Sequence, residues 1–231
     1  MGEGRLPRVL AILGIAVAAV ASFTFAASPP RSPRGAKAAT AFLAAWEHKL
    51  RGTYVVDSTF TRTLPTGAVL RDGSRLAQRP PDRLVVGLAS VDGRVGGRLV
   101  RCGPVAGQSC SPSAAAAPYD DDVAAELTTL GAYVRGDSPL YRVLDFEDSH
   151  CFRLELARQL PAPPYGTQAL FCFDPTTGAP SLSVVNRIEG IDRTEAVTIR
   201  AHVTDDDFKI PGDKGDPQVS PPQVSQPPAS S

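Results

Sequence analysis

Apolar residues recur at helical spacing in the segment that follows the first Pro-rich stretch of the chain. Between residues 37 and 52 they fall on one side of a helix that would end near Gly52. These positions are Ala39, Phe42, Leu43, Trp46 and Leu50. An apolar stripe of this kind must be buried, so the pattern predicts an amphipathic helix with the single tryptophan in the core.

The spacing changes to a period of two after Gly52, which is typical of strands with one buried face. We expect four antiparallel strands up to Cys102. The separating signals are a turn at residues 65–67, a break at Pro80-Pro81 and a turn at Asp92-Gly93.

A second helix interrupts the strands within residues 111–136. Its apolar side comprises Val123, Leu127, Leu130 and Val134. Three aspartates at residues 120–122 stand at its start, where the helix dipole and free N–H groups stabilise carboxylates. We interpret this acidic run as part of the helix terminus and not as a metal site.

Strand patterns return at roughly residues 140–146, 151–157, 168–174, 181–189 and 195–203. The segment "FCFDPTTGAPSLSVV", residues 171–185, reads as a hairpin, because Asp174-Pro175 and Gly178 supply turn chemistry between alternating flanks. An open antiparallel sheet of this length twists and needs one face covered. The predicted class is therefore α+β: a strongly curved antiparallel sheet, an unclosed β-barrel of about nine or more strands, with helices covering its concave side.

The two ends of the chain differ in composition from the middle. Arg5 and Arg8 precede an uncharged apolar stretch, Val9 to Ala27, which is either a signal sequence or an uncleaved membrane anchor; the anchor is slightly favoured. A Pro-rich linker follows over residues 28–36, then a single folded domain over 37–211 and a disordered Pro/Ser/Gln tail over 212–231. Either N-terminal alternative places the domain outside the cytoplasm, bound to the cytoplasmic membrane or secreted into the envelope.

Four cysteines lie beyond the apolar stretch, where disulfides can form. Of the three pairings that four cysteines allow, the sequence favours Cys102 with Cys110 and Cys151 with Cys172, because the second pair would face each other on antiparallel strands. A zinc site is less favoured, since no closely spaced ligand pair such as CxxC is present.

The order of helix, meander, covering helix and meander resembles the LolA/LolB superfamily of lipoprotein carriers, including mycobacterial LppX- and LprG-like lipid-binding proteins. The matching positions are Asp174, Pro175, Thr177, Gly178 and Pro180, followed by Asp207, Phe208 and Pro211. The resemblance implies a half-barrel with a helical lid and a hydrophobic cavity for a lipid or acyl-chain ligand. Regulatory members of that superfamily sense envelope lipids or lipoproteins, so a carrier and a sensor both remain open.

The apolar faces of the strands supply the candidate cavity lining. We expect it to comprise Tyr54, Val56, Phe60, Leu84, Val86, Leu88, Leu127, Phe152, Leu154, Leu156, Phe171, Phe173, Val197 and Ile199. The same residues could simply fill a core. In that case an outer surface or the Pro-rich tail would bind an envelope protein, which is the alternative function.

Other classes of function find little support in the sequence. The 24 basic and 24 acidic residues give a net charge of +0, which argues against a nucleic-acid partner. No GxSxG, HExxH, P-loop or dinucleotide-binding motif occurs, and we expect neither enzyme activity, a cofactor nor a metal. Asp148, Ser149 and His150 are too close in sequence to form a catalytic triad, and "TDDDF", residues 204–208, is interpreted as a solvated strand end.

Overall fold

The computed structural model describes residues 35–87, 90–102, 110, 112–146 and 150–210. The predicted signal sequence or anchor and the predicted tail lie outside these ranges, as does Leu88 of the expected cavity lining. Among the described residues, no helix has both the length and the apolar content that a membrane crossing requires.

Two helices and eleven strands make up the described fold. The helices are α1 (Ala36–Arg51) and α2 (Tyr119–Val134). The strands are β1 (Tyr54–Thr63), β2 (Val69–Arg79), β3 (Asp82–Gly87), β4 (Val91–Val95), β5 (Arg98–Cys102), β6 (Pro112–Ala115), β7 (Tyr141–Phe146), β8 (Cys151–Leu156), β9 (Gln168–Phe173), β10 (Pro180–Arg187) and β11 (Gly190–Arg200), and a 3₁₀ helix (Asp205–Phe208) follows β11.

All eleven strands form one antiparallel sheet in the order β6-β5-β4-β3-β2-β1-β11-β10-β9-β8-β7. The first strand pairs with the last, so the N-terminal and C-terminal meanders join at β1 and β11. The sheet does not close, because β6 and β7 remain its two edges. The predicted fold class, an unclosed curved antiparallel sheet with helices, is confirmed.

Up to Cys102 the first meander contains five strands and not the four predicted, because the chain also turns between β3 and β4, where the Gly87 N–H donates to the Ser90 carbonyl oxygen. The turn expected at Asp92-Gly93 lies inside β4. A Cβ at Gly93 would overlap the carbonyl oxygen of Arg83 on the neighbouring strand, so glycine permits close strand pairing at this position. The turn occurs instead at Gly96 and Gly97, which have φ angles of 58° and 73°.

Helix α1 has the predicted apolar side and ends at the predicted place, with Gly52 as its C-cap residue. Helix α2 carries its three aspartates in the first turn, as expected, but no side chain caps its N-terminus. Asp120 instead pairs with Arg51 at 2.8 Å and Asp122 with Arg94 at 2.7 Å. The acidic run therefore also ties α2 to α1 and to β4.

The sheet has two differently covered faces, which we call the helix face and the outer face. Tyr54 belongs to the helix face, because its hydroxyl donates to the carbonyl oxygen of Lys49 in α1. Its neighbour Val55 points to the outer face and packs in a separate apolar cluster. The other buried members of that cluster are Ala77, Leu84, Val91, Val100, Cys110, Phe208 and Ile210.

The C-terminal segment after β11 covers the outer face and contradicts the interpretation of "TDDDF" as a solvated strand end. Thr204 and Asp207 form a capping box at the 3₁₀ helix, and the Asp207 side chain is only 4% exposed. The Asp207 carboxylate accepts hydrogen bonds from Arg75 at 2.5 Å and from Arg200. Phe208 then enters the outer-face cluster beneath the guanidinium of Arg79, 5.1 Å from the ring centroid.

The hairpin formed by β9 and β10 packs its turn against the end of α1. The Asp174 carboxylate accepts hydrogen bonds from the Thr177 hydroxyl and from the backbone N–H groups of Thr176 and Thr177, which lower its pKa. Gly178 has φ +74°, and a Cβ there would lie 2.8 Å from the His48 carbonyl. The predicted hairpin is confirmed, and its turn holds the C-terminal end of α1.

Both predicted disulfides are present, Cys102–Cys110 and Cys151–Cys172. Cys151 and Cys172 are direct cross-strand partners of β8 and β9, as the alternation of the two strands predicted. His150, which precedes β8, has a φ angle of 50° and is exposed.

Candidate functional site on the helix face

Aromatic side chains fill the helix face over β8 and β9. The Trp46 ring of α1 contacts Phe171 and Phe173 edge to face at centroid distances of 5.2 and 6.0 Å. Phe42, one turn earlier, lies 5.6 Å from Phe152. Because both helices lie closest to β7 at the edge of the sheet, this half of the helix face is a packed core.

The C-terminal end of α1 is tied to the sheet by a buried amide. Gln78 of β2 is 1% exposed, and its Nε2 donates to the carbonyl oxygens of Lys49 and Leu50, both at 2.6 Å, and of Gly52 at 3.2 Å. The last carbonyls of a helix have no partner within the helix, so a donor at this position replaces the water they would otherwise need. Tyr119 of α2 adds a hydroxyl donor to Leu50.

The central strands leave a second part of the helix face open, which we call the trough. Val56 is buried at one end of it, whereas Ser58 and Phe60, further along β1, are half-buried. Their cross-strand neighbours on β2 and β11 share the same face and are also half-buried. The trough comprises Val56, Ser58, Phe60, Asp72, Ser74, Leu76, Thr194, Ala196 and Ile199.

The trough has an apolar end, a floor of small residues and a second end at which Phe60 lies between Asp72 and Thr194. Leu76, Ala196 and Ile199 pack against Val56 in one cluster. Ser58 lies opposite Ser74 on one side and Ala196 on the other, so the middle of the trough carries no large side chain. A flat row of small residues between apolar ones leaves room for an elongated apolar group above the strands.

A charged pocket adjoins the trough beneath the ends of the two helices. It has a volume of about 260 Å³ and is lined by Leu50, Arg83, Arg94, Tyr119, Asp122 and Glu126, among others. Glu126 accepts a hydrogen bond from the Trp46 indole N–H at 2.7 Å, and its carboxylate lies 3.9 Å from the Lys49 ammonium. The pocket therefore combines apolar walls with two arginines and three carboxylates, those of Asp92, Asp122 and Glu126.

Lys49 is the most perturbed base near this pocket. Its side chain is 13% exposed, and its ammonium lies 3.7 Å from the centroid of the Trp46 ring. Burial lowers the pKa of Lys49 to about 7; Glu126 opposes this change and Arg83 adds to it. Burial likewise raises the pKa of Tyr54 and Tyr119.

The structure brings most of the expected lining residues together, in two groups. Phe152, Leu154, Phe171 and Phe173 are buried in the aromatic core, with Leu127 and Leu156 packed against it. Tyr54 and Val56 form the cluster at the end of the trough, where Ile199 packs, and Phe60 lies further along.

Three of the expected residues do not share this face. Leu84 and Val86 contribute to the outer-face cluster, since Leu84 pairs with Ala77 behind the sheet. Val197 is 68% exposed because it is the extra residue of a β-bulge: Asp57 pairs with Thr198 and Ser58 with Ala196.

Gln78, Arg83 and Lys49 were not anticipated as site residues. Each stands at the border of an apolar run, Arg83 just before Leu84 and Lys49 three residues after Trp46, which is the only local signal they carry. Within the described residues no group of three or more His, Cys, Asp or Glu side chains is arranged to hold a metal ion. His48 is exposed near the end of α1. His202 is also exposed and lies beyond the end of β11, although the strand was predicted to extend to residue 203.

Comparison with known proteins finds solved structures that are similar at low sequence identity. The chain matches no protein-family model and no curated protein. It is similar to a chain of the Pseudomonas aeruginosa MucA/MucB complex, with 14% identity and a TM-score of 0.44 over 74% of this chain and 60% of that one. It thus spans about 60% of the length of that chain.

Two further solved structures are similar over nearly their whole length. A LolA superfamily protein from Nitrosomonas europaea is 10% identical, with a TM-score of 0.33 over 74% of this chain and 97% of that one. LprF from Mycobacterium bovis is 12% identical, with a TM-score of 0.31 over 74% and 96%. The first of these two belongs to the superfamily that the sequence resembles.

Proposed function

We propose that the chain is a non-enzymatic, extracytoplasmic binding protein that holds a lipid or acylated ligand along the helix face, as a carrier or a sensor. Its N-terminal segment would keep it at the cytoplasmic membrane. Two disulfides favour an oxidising compartment and support the extracytoplasmic location.

The single observation that carries the proposal is the trough in the middle of the sheet. Its residues lie on the central strands β2, β1 and β11, where a sandwich or a closed barrel would bury them against a second layer. Here all of them except Val56 are half-buried, with Val56, Leu76 and Ile199 at one end of a serine and alanine floor and Phe60 beside Asp72 at the other. An acyl chain lying on this floor would complete the burial, which is worth roughly 0.8 kcal/mol per buried methylene.

A protein ligand is the second candidate, favoured by exposed apolar residues at the far end of the same strands. Val69 and Ile191 flank Thr63 on neighbouring strands and are 48% and 47% exposed, and Ile188 in the adjoining turn is 77% exposed. Exposed apolar groups collected in one place often mark protein interfaces. This surface would suit the regulatory, ligand-free alternative.

Substitution of one trough residue tests the proposal. Ser58→Trp would fill the trough, whereas Thr59→Trp places the same side chain on the outer face of the same strand, where Thr59 is exposed. We expect wild type and Thr59→Trp, purified without detergent, to take up a fluorescent fatty acid and Ser58→Trp to lose most of that uptake. Equal unfolding midpoints for the two variants would show that the loss is not a loss of folding.

Native mass spectrometry supplies an independent readout. A retained lipid on the wild-type protein supports the proposal. A homogeneous ligand-free mass combined with no uptake would overturn it and leave the protein-binding candidate. Equal fatty-acid uptake by Ser58→Trp and Thr59→Trp would show that the ligand does not bind in the trough.

A further inference from the structure

Two arginines face each other across neighbouring strands in the charged pocket. Arg83 of β3 and Arg94 of β4 are direct cross-strand partners. Arg83 is also the partner of Gln78, which contacts α1, so both arginines belong to the helix face. Like charges directly opposite each other destabilise a sheet unless counter-charges offset them.

Only one of the two arginines has such a counter-charge among the described residues. Arg94 is 8% exposed; its Nη1 donates to Asp122 at 2.7 Å and its Nη2 to the carbonyl oxygen of Ala117. Within the described part of the chain, Arg83 has no ion pair or hydrogen bond, and its Nε is buried without a partner. The Nε of Arg94 is buried and unpaired in the same way.

The nearby carboxylates are already engaged elsewhere. Asp92 pairs with Arg101 at 3.1 Å, and Glu126 accepts the indole N–H of Trp46 at 2.7 Å. A buried N–H without an acceptor destabilises the folded state. Among the described residues, the pocket therefore has two Nε–H donors without an acceptor and one arginine, Arg83, that no carboxylate of the lining pairs with; an anionic acceptor would satisfy them.

The pocket and the trough lie close together on the helix face, separated by Val85. Val85, two residues after Arg83 on the same face, pairs with Leu76 of the trough. The guanidinium of Arg94 lies 5.5 Å from the Tyr119 ring centroid, which fixes its plane on the pocket wall. A ligand with an anionic end and an apolar chain could thus contact both regions at once.

We propose that the charged pocket is an oxyanion subsite in which Arg83 is the principal ligand and the Arg94 Nε a second donor. The inference rests on the proposed function, because the oxyanion is assigned to the head of the ligand whose apolar part lies in the trough. A phosphate bound on its own would use the same chemistry.

A matched pair of amphiphiles separates the head from the chain. Wild-type protein should bind dodecyl phosphate at least about tenfold more tightly than dodecanol, since a hydrogen bond to a charged group contributes that much or more. Arg83→Gln should abolish this preference while leaving the affinity for dodecanol unchanged. Arg71→Gln, which alters an exposed arginine on another part of the sheet, should behave as wild type.

Titration with inorganic phosphate identifies the source of the anion. Phosphate binding that is lost in Arg83→Gln, without any preference between the two amphiphiles, would support the subsite but assign it to a free anion. Equal affinities of wild type and Arg83→Gln for dodecyl phosphate and for inorganic phosphate would overturn the subsite. Tight binding of dodecanol in that case would show that the proposed lipid function still stands. A wild type that binds none of the three probes contradicts both proposals.

Discussion

Asp207→Asn is the substitution for which the structure gives the most quantitative expectation. The carboxylate is buried under the 3₁₀ helix, where it accepts hydrogen bonds from Arg75 and Arg200 and from the backbone N–H and hydroxyl of Thr204. Burial, the largest influence, raises its pKa, but the hydrogen bonds from Thr204 and Arg200 outweigh it and lower the pKa from 3.8 to about 2. Asparagine has the same size and removes the charge.

The magnitude follows from the change in pKa. A shift from 3.8 to about 2 corresponds to about 2.5 kcal/mol of stability, since one pKa unit is worth about 1.4 kcal/mol. The side chains of Arg75 and Arg200 are 44% and 38% exposed, so solvent screening reduces the expected loss to about 1–2 kcal/mol. Because the folded-state pKa is the lower one, this contribution is complete above about pH 5 and disappears as the pH falls through about 2.

Urea unfolding of wild type, Asp207→Asn and Asp206→Asn at several pH values measures this effect. Asp206 is a matched control in the same acidic run, because its side chain is 80% exposed and pairs only with Lys209 among the contacts described for it. We expect Asp206→Asn to stay within about 0.5 kcal/mol of wild type. Equal losses for the two variants, or a deficit of Asp207→Asn that does not shrink at low pH, would refute the role assigned to the buried carboxylate.

Two other substitutions test the buried base and the disulfides. The folded-state pKa of Lys49, about 7, lies below its ordinary value of 10.5, so the free energy of unfolding of the wild type should rise with pH between these values. Urea unfolding of Lys49→Met should show a flatter rise. A wild-type free energy of unfolding that does not change with pH would contradict the burial of the amine. Cys172→Ser opens a disulfide with a sequence separation of 21 and should cost about 3 kcal/mol in oxidised protein, against about 2.5 for Cys102→Ser with a separation of 8. Neither cysteine variant should differ from wild type in reduced protein, and a loss that persists after reduction would place the effect in packing.

The elements that the sequence predicted well are those whose signals are local. Helix α1 and the hairpin of β9 and β10 follow from helical spacing, from strand alternation and from turn residues such as Gly178, all within a few residues. The pairing of Cys151 with Cys172 was predictable because both strands alternate clearly. The positions inside the sheet depend on partners that lie far away in sequence.

Strand β3 illustrates why the predicted lining mixed two faces. Leu84, Val85 and Val86 are all apolar, so alternation alone does not decide which of them faces the helices. The register decides it, because Leu84 is placed opposite Ala77 on the outer face. The exposure of Val197 likewise follows from a bulge that β11 forms only through its pairing with β1.

The charged and polar residues of the site were the least predictable. Gln78 becomes important because α1 ends directly above it and presents three carbonyl oxygens. Arg83 becomes unusual because its cross-strand partner is also an arginine. Asp207 reads as one of three solvated aspartates until the chain folds back over the outer face and buries only that one.

The location of a ligand on the helix face can be decided by comparing what each half would lose. A chain entering between α1 and β9 would have to displace Trp46, whose ring contacts Phe42, Tyr165, Phe171 and Phe173. Each such pair contributes about 0.5–1.5 kcal/mol beyond simple burial, so separating four of them costs roughly 2–6 kcal/mol. A chain on the trough displaces no ring in that cluster and gains burial for side chains that are still half-exposed. The aromatic half therefore supports α1, and the proposed ligand would lie on the central strands.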